Sequence, residues 1–107
     1  MVTDNEAINN IIKNYITDVK EKLPIDKVYL YGSYANGKWK ENSDIDICFF
    51  SNAFESRRSL DVLTELFYIK SKYDKDALIE PNAFPMSELY ADNPFVKEIL
   101  RTGQEII

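Results

Sequence analysis

The chain has 107 residues and a formal net charge of −5, with one cysteine and no histidine. The lack of histidine removes the commonest general base and the usual zinc ligand, so any catalysis must rest on carboxylates, hydroxyls, lysines or a hard metal ion. One cysteine excludes an internal disulfide and favours the reducing cytoplasm, and the acidic balance argues against general nucleic-acid binding.

The first half of the chain predicts a helix followed by two strands. Thr3 and Glu6 have the spacing of a capping box, and Pro24 ends the helical pattern. The apolar stripe of this helix contains Ile8, Ile11, Ile12, Tyr15, Ile16, Val19 and Leu23. A strand is expected at 27–31 and another at 44–50, joined by a glycine-containing turn with room for one helical turn.

The second half predicts two further helices and two strands. A helix is expected from Ser56 to Lys72, capped by Ser56 or Ser59, with an apolar face of Leu60, Leu63, Leu66 and Phe67. A strand at 77–84 contains Pro81, which indicates a sheet edge or a strand end. The last elements are a helix that begins at Asn93-Pro94 and ends at Gly103, and a short strand within 104–107.

This alternation predicts one α/β (α+β) domain that spans residues 1–107, a small mixed β-sheet with helices packed on one face. No linker, repeat or low-complexity segment interrupts it. The longest apolar run is too short to cross a membrane, and the polar, acidic N-terminus is unlike a secretory signal. We therefore expect no membrane association.

Two aspartates, Asp44 and Asp46, stand at the start of an otherwise apolar strand. Side chains alternate along a strand, so these two point to one face while Ile45 and Ile47 point to the other. Two carboxylates this close repel each other, and a divalent cation such as Mg²⁺ relieves that repulsion. Two such ions can clamp the oxygens of a nucleotidyl transfer, although Asp-x-Asp alone also fits a solvent-exposed edge strand.

Gly32-Ser33 follows the preceding strand directly. Glycine lets the backbone approach a ligand closely, and a short helix after it would offer free N–H groups and Ser33 Oγ to a phosphate. The plainer alternative is a turn in which Ser33 caps the helix. A phosphate cradle and a carboxylate pair on neighbouring strands form a more specific pattern than either motif alone.

Gly32-Ser33, ten intervening residues and Asp44-x-Asp46 resemble the signature of the nucleotidyltransferase superfamily that includes DNA polymerase beta and the aminoglycoside nucleotidyltransferases. The short chain is similar to the minimal branch, the MNT (MntA-like) proteins. The resemblance implies the polymerase-beta-like fold, ATP as substrate and Mg²⁺ as cofactor. It implies that Asp44 and Asp46 bind the metal, and that Gly32 and Ser33 hold the β- and γ-phosphates.

The resemblance also implies a third acidic residue on a neighbouring strand. Glu80 fits this role as a metal ligand and as the general base for the acceptor hydroxyl, because it lies in an apolar run; Asp76 is the fallback. Many minimal relatives carry an arginine after Gly-Ser, where this chain has Tyr34. Lys38 could supply positive charge to the phosphates instead, or it could be a solvated turn residue.

Minimal nucleotidyltransferases of this branch often pair with a HEPN-domain toxin. The resemblance therefore implies a toxin–antitoxin system in which AMP is transferred to a tyrosine of the partner. Two alternatives stay open: a catalytically silent antitoxin that acts by contact, and a transferase that modifies small molecules such as aminoglycosides.

Overall fold

The computed structural model describes residues 5–40 and 43–107, which fold around one mixed sheet. Strands β1 (Lys27–Tyr31) and β2 (Ile45–Ser51) are antiparallel, and β3 (Ile79–Pro85) runs parallel to β2. A short β4 (Gln104–Glu105) pairs with β1, so the strand order is β3-β2-β1-β4. Parallel neighbours need a long crossover, and the chain between β2 and β3 supplies it.

Two helices, α1 (Glu6–Lys22) and α2 (Ser59–Lys70), cover one face of the sheet. Tyr15 of α1 is fully buried, and its hydroxyl donates to the carbonyl of Leu66 in α2 at 3.0 Å. From the sheet, Ile45, Ile47 and Phe49 complete this core. The expected orientation of Ile45 and Ile47 toward the helices is therefore present.

A third helix, α3 (Pro94–Thr102), packs Val96 and Ile99 against the opposite face of the sheet. Its sheet partners are Tyr29, Cys48 and Phe50. The mixed-sheet fold class is confirmed, but the expectation that all helices lie on one face is wrong in this detail. The physical reason is that Cys48 and Phe50 make the second face of β2 apolar too, and that face needs its own cover.

Helix α1 is capped by Asn5, whose side chain accepts from the N–H of Ile8 at 3.1 Å; the expected cap Thr3 lies outside the described residues. Helix α2 begins at Ser59, and its N-cap residue Arg58 makes no capping side-chain bond, so neither predicted serine caps it. Its buried residues are Val62 and Leu66. Leu60 and Phe67, expected on the apolar face, are 64% and 42% exposed.

The later boundaries follow the predictions closely. Pro81 lies within β3, and β3 is an edge strand as that proline indicated. Asn93 caps α3 with bonds to the N–H groups of Phe95 and Val96, and Gly103 is its C-cap residue. Among the described residues, no helix is both long and apolar enough to span a membrane.

Candidate active site

The parallel pairing of β2 with β3 places Asp46 directly opposite Glu80. On its other side Asp46 is opposite Tyr31 of β1. All three residues are half-buried, at the end of the sheet where β1 finishes. The structure therefore brings together one aspartate of the Asp-x-Asp motif and the predicted third carboxylate.

Asp44 is exposed and immediately precedes β2. The strand was expected to begin at Asp44, but it begins at Ile45. Burial raises the pKa of Asp46 to about 6, and the negative charges of Asp44 and Glu80 add to this effect. The carboxylates of Asp44 and Glu80 are thus each close enough to repel that of Asp46. Within residues 5–40 and 43–107, however, no three acidic, cysteine or histidine side chains form a ready-made metal cluster.

Gly32 packs directly against the carboxylate of Asp46. Its φ angle is +74°, in the left-handed region, and a Cβ atom built there would overlap Asp46 Oδ2 and lie 3.2 Å from Cγ. The sequence predicts a close approach of backbone to ligand at this glycine. The structure places the Asp46 side chain there, so the glycine motif and the aspartate motif form one local unit.

Ser33 lies in a single 3-10 turn, Gly32–Tyr34, which is the one helical turn expected at this place. The turn is closed by N–H groups of Ala35 and Asn36, which both donate to the carbonyl of Gly32. No side-chain bond caps the turn, so the alternative of Ser33 as an N-cap does not hold. The hydroxyl of Ser33 has no hydrogen-bond partner among the described residues, and phosphate binding by Ser33 stays a prediction.

Lys38 is exposed on the loop after this turn. Its backbone N–H is held by Asn36 Oδ1 and by the carbonyl of Ser33, both at 3.0 Å, and its side chain forms no ion pair with any described residue. Its role toward phosphates stays a prediction. Tyr34 is buried and stacks on Trp39 with ring centroids 5.7 Å apart, so its ring packs within the protein.

Asp76, the fallback for the third carboxylate, lies in the turn before β3 and outside the strand. Its N–H donates to the carbonyl of Tyr73 at 2.9 Å. With Asp44 and Leu78 it borders a cavity of about 290 Å³. Glu80, by contrast, occupies the ladder position opposite Asp46, so the pairing favours Glu80 over Asp76.

Sequence reasoning missed Tyr31 and Asn82 as neighbours of these carboxylates. Asn82 Nδ2 donates to Tyr31 Oη at 2.9 Å. Burial raises the pKa of Tyr31 to about 12; the hydrogen bond from Asn82 opposes this, and the charges of Asp46 and Glu80 reinforce it. The alternation of side chains along a strand already indicated Asn82, because Asn82 lies two residues after Glu80 and therefore on the same face. The sequence did not give the register between the strands, and without it these neighbours could not be identified.

Comparisons with known proteins indicate the family to which this chain belongs. The family model of the nucleotidyltransferase domain matches residues 12–104. Two proteins of Methanocaldococcus jannaschii that carry the provisional name protein adenylyltransferase are each 30% identical. The first match covers 97% of this chain and 74% of that protein, and the second covers 94% and 96%.

Solved structures agree on the fold. A crystal structure from Sulfolobus solfataricus, provisionally named a nucleotidyltransferase, has a TM-score of 0.67 over 98% of this chain and 89% of its own, at 18% identity. Another structure with the same provisional name has a TM-score of 0.60 over 90% and 97%, at 24% identity. The fold is thus that of a nucleotidyltransferase. The chain belongs to the nucleotidyltransferase domain family, which confirms the resemblance and the expected enzyme class.

Proposed function

We propose that this nucleotidyltransferase transfers AMP from ATP to a hydroxyl group of another protein. The observation that carries the proposal is the contact between Gly32 and the Asp46 carboxylate, with Glu80 opposite Asp46 on the parallel neighbour strand. This arrangement supports a phosphate-binding turn joined to a carboxylate centre. The provisional name of the relatives, protein adenylyltransferase, supports a protein as acceptor.

The proposed metal ligands are Asp44, Asp46 and Glu80, which would hold one or two Mg²⁺ ions. Their chemistry fits, because Mg²⁺ prefers carboxylate oxygens together with substrate phosphates. The raised pKa of Asp46 also fits, since part of it comes from repulsion by its two acidic neighbours, which a cation would relieve. When bound, Mg²⁺ neutralises charge on the phosphates and stabilises the transition state.

The residues of this chain would then bind and orient the reactants. The Gly32–Ser33 turn, with Lys38 nearby in sequence, holds the β- and γ-phosphates. Glu80 takes the proton of the acceptor hydroxyl, and that oxygen forms a bond to the α-phosphorus. The bond between the α-phosphorus and the oxygen bridging to the β-phosphate breaks, and pyrophosphate leaves with its electron pair.

For the acceptor we propose a tyrosine of a HEPN-type toxin, which makes this chain the antitoxin of the pair. The resemblance to the minimal branch motivates this choice, and the relatives' name is consistent with it. Such a pair would work in the cytoplasm, where the buried thiol of Cys48 stays reduced.

A second candidate function is a silent antitoxin that neutralises its partner by contact alone. Two observations favour it: Tyr34 stands where many minimal relatives have arginine, and its ring is buried against Trp39. In addition, the described acidic side chains form no ready-made metal cluster.

Transfer of labelled AMP and neutralisation of the partner, measured together, decide between the two functions. We expect Asp44→Asn/Asp46→Asn to lose both, while Asp61→Asn, on a helix that packs on the other face of the sheet, keeps both. We expect Glu80→Gln to lower transfer by about 10²-fold or more and Asp76→Asn to leave it within about twofold. Full neutralisation by the double variant would establish the silent antitoxin instead.

A further inference from the structure

The glutamine of β4 makes a long-range hydrogen bond to the segment that follows Gly32-Ser33. Gln104 Nε2 donates to the carbonyl of Ala35 at 2.8 Å, and the two residues are 69 positions apart in the chain. Both are half-buried, and partial exclusion of water strengthens such a bond. The bond therefore ties the last strand of the sheet to the chain beside the candidate site.

Ala35 is connected to the candidate site through the turn that it closes. Its N–H donates to the carbonyl of Gly32 at 3.1 Å, and the N–H of Asn36 donates to the same carbonyl at 3.2 Å. Gly32 in turn lies against the Asp46 carboxylate. A continuous series of contacts therefore runs from Gln104 through the backbone of this turn to Asp46.

Gly103 brings Gln104 to this position. A Cβ atom built on Gly103 would lie 2.8 Å from the carbonyl oxygen of Leu30 and 3.4 Å from Tyr31 Cβ, so the end of α3 packs closely on the end of β1. Gln104 then pairs with Leu30 in the β1–β4 ladder. Because β1 ends at Tyr31 and Gly32 follows directly, the backbone of Gln104 is anchored next to the turn that its side chain holds.

The turn depends on tertiary contacts, because a single helical turn fixes several residues for few hydrogen bonds. The buried ring of Tyr34 stacks on Trp39, which fixes a side chain of the turn. Gln104 fixes its backbone at Ala35. Beyond Ala35, residues 36–38 are exposed, so the next part of the chain gives the backbone of the turn little packing support.

We propose that Gln104 is a positioning residue: its side-chain amide holds the turn at Gly32-Ser33 against Asp46, in the conformation that binds the nucleotide phosphates. The inference rests on the proposed function, because it requires this turn to bind phosphate. Without the bond the turn samples more conformations, and the apparent affinity for the nucleotide falls with the fraction of molecules in the competent one. Binding of a ligand without β- and γ-phosphates does not depend on this fraction.

The test compares Gln104→Met with Glu105→Met by calorimetric titration of Mg²⁺–ATP and of AMP. Methionine has about the length of glutamine but cannot donate to Ala35. Glu105 is the next residue of β4, and its side chain instead accepts from Tyr29 at 2.9 Å and from Lys27 at 3.2 Å on β1. We expect Gln104→Met to raise the Kd of Mg²⁺–ATP by about fivefold, the effect of one hydrogen bond, and to leave that of AMP unchanged. Glu105→Met should bind both like wild type.

Amide hydrogen exchange, followed by NMR, tests the turn without nucleotide. We expect the N–H groups of Ala35 and Asn36 to exchange about fivefold faster in Gln104→Met, with those of α1 and α2 unchanged, because one support of the turn is lost. Saturating Mg²⁺–ATP should restore the slow exchange. If methionine prevents folding, Gln104→Glu, whose ionised carboxylate cannot donate, takes its place with the same expectations.

The outcomes separate the inference from the proposed function. Wild-type affinity for Mg²⁺–ATP or wild-type exchange at Ala35 in the Gln104 variant would overturn the inference and leave the proposed function intact. An equal loss of affinity in Glu105→Met would also overturn it, since the effect would then come from β4 as a whole. A wild-type protein that binds no Mg²⁺–ATP would overturn both.

Discussion

Gly32 is the residue on which the candidate site most directly depends. A side chain there is excluded twice, once by the backbone angle of +74° and once by the Asp46 carboxylate. Gly37 shares the first constraint, with φ of +77°, but an added Cβ would meet nothing within 4 Å. A comparison of substitutions at the two glycines therefore separates the effect of backbone strain from that of the steric contact with Asp46.

We expect Gly32→Ala to abolish nucleotide binding and Gly37→Ala to keep it. Each substitution carries the cost of a left-handed conformation, about 1–2 kcal/mol, but only the first displaces Asp46. Calorimetric titration of Mg²⁺–ATP and urea unfolding of both variants would measure the two effects. Equal losses of binding in the two variants would mean that the Asp46 contact is unimportant.

At the level of elements, the start of α3 follows from the capping residue that directly precedes it in the sequence. Asn93 accepts from Phe95 N–H at 3.0 Å and from Val96 N–H at 3.2 Å, as Asn93-Pro94 predicted. The start of α2 was predicted three residues too early: a 3-10 turn, Asn52–Glu55, follows β2, and the chain does not pass from it directly into the helix. Ser56 and Arg57 then form a bend and Arg58 is extended, so the helix begins only at Ser59.

We expect Asn93→Ala to lower the free energy of unfolding by about 1 kcal/mol, because two N–H groups of α3 lose their acceptor. Asn93→Ser, which keeps a capping oxygen, should retain most of the stability. Urea unfolding monitored by circular dichroism measures both variants. Identical losses for alanine and serine would show that the cap contributes little to α3.

In the molecule as a whole, the candidate site draws on three strands at one end of the sheet, and the sheet lies between two apolar layers. α1 and α2 cover one face, and α3 covers part of the other, which leaves Asp46, Glu80 and Asn82 beside the second layer. Clustered carboxylates oppose folding when no cation is present, because burial and mutual repulsion disfavour their charged form. We therefore expect these carboxylates to lower the free energy of unfolding of the metal-free protein.

We expect Asp46→Asn to stabilise the metal-free protein at pH 7.5 but much less at pH 4. The pKa of Asp46 is raised from 3.8 to about 6, so the native state binds this proton more tightly than the unfolded state. The resulting stability is present below pH 3.8 and is lost as the pH rises through about 6. For a half-exposed carboxylate we expect a gain on the order of 1 kcal/mol in the variant.

Urea unfolding with a chelator at both pH values measures this gain. Asp61→Asn serves as the control, since it removes one negative charge from an exposed position on α2. A stability difference between Asp46→Asn and wild type that is the same at pH 4 and pH 7.5 would contradict the prediction.

The sequence by itself determined the elements and the main chemical motifs. The bounds of β1 were predicted to the residue, and the edge position of β3 followed from Pro81, because both depend on local properties of the chain. The Gly-Ser to Asp-x-Asp spacing identified the family, which the family match confirms. Glu80 could be singled out as a charge in an apolar run, with Asp76 still open.

Only the tertiary structure decided how these motifs meet. The parallel register of β3 on β2 placed Glu80 opposite Asp46, left Asp76 outside the ladder, and brought Asn82 to Tyr31. The apolar second face of β2, covered by α3, and the exposure of Leu60 and Phe67 likewise depended on packing between distant segments. Register and packing are set by contacts between residues far apart in the chain, and the periodicity of a single segment does not contain them.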